Sequence, residues 1–170
     1  MRCHRSGLMA AILVAGGALA LFGQAPAGDA GHHSGMIQSL AAAKWGPAPP
    51  MLPPGAEIAV LAGNPMAAEP YTVRLKFPAN YDIPAHSHPT DENVTVVSGT
   101  LYMGMGDKLE RKTGQALGVG GFGLMPANVN HFAFTRGTPA TIVLHGIGPV
   151  EFKYVNPADD PRTAKRTASK

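Results

Sequence analysis

Pro84-Ala85-His86-Ser87-His88-Pro89-Thr90-Asp91-Glu92-Asn93-Val94-Thr95-Val96-Val97-Ser98-Gly99 gathers two histidines, two carboxylates and alternating valines in one short stretch. Along a strand successive side chains point to opposite faces, so His86 and His88 share a side and can approach a single ion. Pro89 lacks an amide hydrogen and interrupts the ladder, as at a bulge or an edge. Even spacing therefore does not by itself turn Glu92 inward. Asp91 is the competing carboxylate, and Glu92 is favoured. Val94 and Val96 continue the parity of Glu92 and would line the same interior, and Ser98-Gly99 turns the chain back.

A fourth ligand has to come from a distant strand. Gly120-Gly121-Phe122-Gly123-Leu124-Met125-Pro126-Ala127-Asn128-Val129-Asn130-His131 supplies one. A Gly-rich strand reaches Pro126, turns through Asn128, and a new strand begins at His131. Outward from these two stretches the strand signals repeat. Glu57 to Ala62, Tyr71 to Phe77, Asn93 to Val97, Thr100 to Met105, Gly121 to Met125, His131 to Thr135 and Thr141 to Ile147 are short and rich in β-branched, aromatic or apolar residues. Gly, Pro, Asn or Asp separates them, and Phe152 to Val155 adds another. The chain has 21 Gly and 16 Pro, which interrupt helices. Many short strands with regular breaks indicate an all-β sandwich or jelly-roll barrel and not a βαβ fold.

The 170 residues suit one domain with modest extensions. Arg2 and Arg5, the uncharged apolar run Leu8 to Phe22 and Ala25-Pro26-Ala27 read as a secretory signal over residues 1–27. The alternative is a membrane anchor, but the run is short for a span of about 20 residues. Cleavage would place the protein in the periplasm or outside the cell, with no membrane attachment. Cys3, the one cysteine, lies before the apolar run and can form no disulfide in the mature chain. Residues 28–56 read as a Pro/Ala-rich arm, in which Gln38 to Lys44 could make a helical turn and Trp45 could pack on the barrel. The barrel spans 57–158, and 159–170 reads as a disordered basic tail without apolar anchors. The formal charge of +3 belongs to the ends: between Gly28 and Pro161, eight of the 14 basic residues face all 11 acidic ones. A nucleic-acid role needs a basic face on the domain itself, and that class is excluded.

The two stretches resemble the motifs of the cupin superfamily. The first motif runs Gly, five residues, His-x-His, three or four residues, Glu, six residues, Gly. His86, His88, Glu92 and Gly99 match it, with Asn80 in place of the opening glycine. The second runs Gly, five residues, Pro-x-Gly, two residues, His, three residues, Asn. Gly120, Pro126 and His131 match, while Asn128 and Thr135 stand for the glycine and asparagine. The resemblance covers roughly Tyr71 to Ile147. It implies a single jelly-roll β-barrel with a metal site of His86, His88, Glu92 and His131 and open positions for water or substrate. It also implies a homodimer. Imidazole and carboxylate together suit one divalent ion of Fe, Mn, Zn, Ni or Cu. The implied function is a metal-dependent enzyme on a small organic molecule, an oxygenase ahead of an isomerase or hydro-lyase. The alternative is a protein that binds or senses a small ligand through the metal without transforming it.

Other residues carry weaker expectations. His145 either faces the pocket or sits at an edge. Arg74 and Lys76 share the side of their strand opposite Val73, Leu75 and Phe77, and outward solvation is favoured over contact with an anionic substrate. Met103, Met105 and Met125 read as core fillers. Phe132 and Phe134 oppose the parity of His131 and should pack between sheets. His32-His33 could chelate copper only if cleavage fell after Ala30.

Overall fold

The computed structural model describes residues 37–39 and 42–163. The signal segment 1–27 with Cys3, the His32-His33 pair, part of the Gln38 to Lys44 turn and the tail from residue 164 lie outside the described residues.

Eleven strands are described: β1 (Gly46–Pro47), β2 (Glu57–Ala62), β3 (Pro70–Phe77), β4 (Asp82–Ser87), β5 (Glu92–Ser98), β6 (Leu101–Met105), β7 (Gln115–Leu117), β8 (Phe122–Met125), β9 (His131–Phe134), β10 (Ala140–Ile147) and β11 (Lys153–Tyr154). They form two antiparallel sheets, ordered β1-β2-β3-β10-β5-β8 and β11-β4-β9-β6-β7. Alternation sets the inner face of the larger sheet. Tyr71, Val73, Leu75 and Phe77 of β3, Ile142 and Leu144 of β10, and Val94 and Val96 of β5 are buried. Register stacks them: Leu144 lies between Val73 and Val94, and Ile142 between Leu75 and Val96. Ile83, Leu101, Met103 and Ala133 face them from the smaller sheet. Each large side chain removed from water in this layer contributes about 1.5–3 kcal/mol.

A bulge decides which way the histidines point. Parity from buried Ile83 would carry Ala85 and Ser87 inward and His86 outward. The β4–β9 register shifts between Ile83 and His86, so both face the interior, and His86 stands directly opposite His131. The turn closing β5 needs a glycine: Gly99 has φ +72°, and a Cβ there would lie 2.0 Å from the Pro139 carbonyl oxygen. Asn80 and Asn128, which stand at glycine positions of the motifs, take φ 56° and 61°.

Three expectations are corrected. Phe132 and Phe134 are buried but do not lie between the sheets. They sit on the outer face of the smaller sheet, where Phe134 stacks on Tyr102 at 5.0 Å and the Phe132 ring occupies the space that Gly104 leaves. The guanidinium of Arg111 lies 5.0 Å from the Phe134 ring centre and that of Arg136 lies 4.4 Å from that of Tyr102, covering this aromatic layer. Residues 46–56 are not a free arm. Gly46–Pro47 pairs with β2, Leu52 is in the core, and the hydroxyls of Tyr154 and Tyr81 donate to the carbonyls of Met51 (2.7 Å) and Pro53. Trp45 is half-buried, with the Lys76 ammonium 5.1 Å from its ring centre. Finally, residues 160–163, read as the start of a free tail, are held by polar contacts. Asn156 caps the 3-10 turn Pro157–Asp159, and Arg162 donates to Asp160 and to the Phe152 carbonyl, each at 2.8 Å.

Candidate metal centre

Each histidine is held by a backbone carbonyl. Nδ1–H of His86 donates to Pro84 O at 2.7 Å, that of His88 to Glu151 O at 2.7 Å, and that of His131 to Val129 O at 3.0 Å. A carbonyl only accepts, so in all three rings the proton is on Nδ1 and the lone pair is on Nε2. The Nε2 atoms of His88 and His131 are buried and have no hydrogen-bond partner. Buried polar atoms are normally paired, so two such lone pairs directed at one place suit metal ligation.

The three imidazoles offer ligand atoms within 4.8 Å of one another. Ring centres are 4.4 Å apart for His86–His131, 4.9 Å for His86–His88 and 5.1 Å for His88–His131. Glu92, the first residue of β5, brings its carboxylate in from the opposite sheet. Its Oε1 lies 3.4 Å from His88 Nε2 and its Oε2 lies 3.8 Å from His131 Nε2. Asp91 turns away and accepts from the Ala127 amide at 2.8 Å, so the competing carboxylate holds the approach to the second motif. All four side chains, His86, His88, Glu92 and His131, are buried together.

The electrostatics suit a cation. Burial lowers the pKa of all three histidines, and for His86 the neighbouring His131 and His88 lower it further. They are therefore neutral and able to ligate at ordinary pH. Burial pushes the Glu92 carboxyl up to about 7, partly offset by His131. A carboxylate displaced in this way lacks a positive partner, which a divalent ion would be.

Phe152 is a site residue that the motifs do not contain. Its ring stacks on His86 at 4.5 Å and 15°, and meets His88 edge-on at 4.5 Å. It follows β10 on the segment that leads into β11, and the β4–β11 pairing and the His88–Glu151 bond bring it here. The other candidates lie elsewhere. His145 points outward on β10 and bonds Thr72 Oγ1 at 2.9 Å, because Leu144 takes the inward position beside it. Arg74 and Lys76 are on the outer face, and Lys76 pairs with Glu57 at 3.2 Å. Met103 and Met125 are in the core, while Met105 is exposed.

No protein-family model matches the chain, and no curated protein sequence does either. Solved structures do resemble it. The polyketide cyclase RemF from Streptomyces resistomycificus matches with TM-score 0.53 and 17% identity over 65% of this chain and 78% of its own. An RmlC-like cupin from Shewanella frigidimarina matches with TM-score 0.52 and 17% identity over 67% and 91%. The DMSP lyase DddQ from Ruegeria pomeroyi matches with TM-score 0.51 and 21% identity over 65% of this chain and 59% of its own. Taken with the two facing antiparallel sheets, these likenesses make the chain a cupin by fold, with a buried three-histidine group as its possible metal site.

Proposed function

We propose that this chain is an exported, metal-dependent enzyme of the oxygenase type that acts on a small organic molecule, and that it works as a homodimer. The reading is carried by the unpartnered, buried Nε2 atoms of His88 and His131, which converge on the Glu92 carboxylate. His86, His88, Glu92 and His131 would hold one divalent ion of Fe, Mn, Zn, Ni or Cu. Such an ion supplies Lewis acidity towards substrate oxygens and, if it is iron, a means of activating O2.

The chain's own groups provide the rest. The Nδ1–H bonds to Pro84, Glu151 and Val129 fix the tautomer and the direction of each imidazole. Phe152 covers the His86 ring and keeps bulk water from that side. Export rests on the basic and apolar leader with its Ala25-Pro26-Ala27 site, and the homodimer on resemblance to the cupins.

The test is elemental analysis and EPR on protein recovered from an exporting host, beside a His86→Ala/His131→Ala control, followed by oxygen-electrode assays. Stoichiometric metal that the double variant loses, with oxygen uptake on a substrate panel, supports the proposal. Metal with turnover but no oxygen uptake replaces oxygenase by Lewis-acid chemistry. Tight ligand binding without product makes the protein a binder or sensor. No metal in the isolated protein, and none taken up from Fe, Mn, Zn, Ni or Cu, refutes it.

A further inference from the structure

The way into the metal centre is mostly apolar. Its mouth is walled by groups such as Met51, Leu52, Pro65, Met66 and Val150, and among the described residues Tyr71 and Glu92 are the only polar side chains on it. The inner chamber beside the histidines is walled by Phe77, Leu101, Ile142 and similar groups, with His86, His131 and Glu92 as its only polar members among the described residues. Leu52, Leu75, Leu144, Glu92 and Phe152 border both spaces, so mouth and chamber adjoin. Among the described residues, neither is lined by a lysine or an arginine. The part of the mouth formed by Met51 and Leu52 is fixed in place, because the hydroxyls of Tyr154 and Tyr81 hold the carbonyls of Met51 and Pro53.

Resting on the metal-site reading above, we infer that the centre takes a small uncharged molecule with an apolar body, bound at its inner end through one oxygen. It rejects molecules whose body carries a charge or several hydroxyls. The oxygen end finds the metal centre. Among the described residues, a carboxylate or phosphate on the body finds hydrocarbon, the Glu92 carboxylate and one tyrosine hydroxyl, and it leaves water without a cationic partner. A polyol loses several water hydrogen bonds to a mouth that offers it, among the described side chains, only Tyr71 and Glu92 in exchange. Phe152 and Tyr71 provide aromatic surface for the body to lie against.

The experiment uses cobalt-loaded protein, whose visible absorption reports metal occupancy before any ligand is added. Para-cresol and para-hydroxybenzoate share a ring and a hydroxyl and differ only in methyl against carboxylate. Each is titrated at about pH 7.5, where the carboxylate is ionised and the cresol is neutral. Calorimetry and the cobalt bands are both followed. Para-cresol should bind at least about tenfold more tightly. Met66→Lys, at the exposed rim, should narrow that ratio by about threefold or more by giving the carboxylate a cation to pair with, at unchanged cobalt content. Equal or tighter binding of para-hydroxybenzoate overturns the inference. So does failure of para-cresol to bind below about 10 mM, or an unchanged ratio in the Met66→Lys protein. Failure to take up cobalt is seen first and overturns the metal-site reading, and this inference with it.

Discussion

Replacing Glu92 by Gln separates what this carboxylate costs the fold from what it gives the site. In metal-free protein, burial holds the Glu92 carboxyl at about 7 against an ordinary 4.5. Above that pH, folding buries a charge that the unfolded chain keeps in water, at a cost of about 3 kcal/mol. The sign follows from the protons. Between 4.5 and about 7 the folded state keeps a proton on Glu92 that the unfolded state has lost. Stability from this group is therefore present at low pH, falls as pH rises through that window and reaches its minimum above it. Gln carries no charge, and its amide can donate to His88 Nε2, which lies 3.4 Å from Glu92 Oε1 and has no partner. E92Q in EDTA at about pH 8 should be more stable than wild type by about 1–3 kcal/mol, and the gap should close as the pH falls towards about 4.5. Excess metal should reverse the order: an ion at about a hundred times its Kd stabilises wild type by about 2.7 kcal/mol, most of which E92Q forgoes. Urea denaturation followed by circular dichroism, with EDTA or metal present, measures both. An E92Q protein no more stable than wild type in EDTA at that pH refutes the reasoning, because Glu92 would then not be an uncompensated buried charge.

Further outcomes follow from the packing and from the ligand set. His86→Ala and His131→Ala should each weaken metal binding by well over about tenfold, while Asp91→Asn keeps wild-type metal content; dialysis and elemental analysis separate the three. Gly104→Ala puts a Cβ 2.3 Å from the Phe132 ring, and overpacking should cost about 1–3 kcal/mol, or roughly 2–4 °C in Tm per kcal/mol. Tyr154→Phe removes the bond to Met51 O; it should cost about 1 kcal/mol at unchanged metal content, read by calorimetry and metal analysis.

The grouping of the candidate site residues was legible because one chain segment carries most of them. His86-x-His88 and the Glu92–Val94–Val96 parity are local patterns, and the turn residues Asn80, Gly99 and Asn128 mark where each motif bends. The route by which His86 comes to face inward was not legible, since it depends on a one-residue shift against β9 that no local pattern records. Strand β7, Gln115–Leu117, is short and flanked by glycine, and it exists through pairing with β6. The outward direction of His145 could have been read from the strand itself, because an inward Leu144 forces its neighbour out. Phe132 and Phe134 were misplaced because an aromatic on the outer face looks like a core residue until the arginines that cover it are known. Phe152 and Leu52 reach the centre through non-local packing, so a motif-centred reading passes over them.

The four candidate ligands hang from different sheets: the histidines from β9 and from the end of β4 in one, and Glu92 from β5 in the other. Mechanically, the centre is a rivet through a two-leaf spring, and its grip depends on the gap between the leaves. A residue far from any ligand that widens the gap, such as Ile142 made larger, should therefore loosen the ion without touching it. On the proposed reading, metal affinity would be a gauge of interleaf spacing, and repacking the core a means of tuning it.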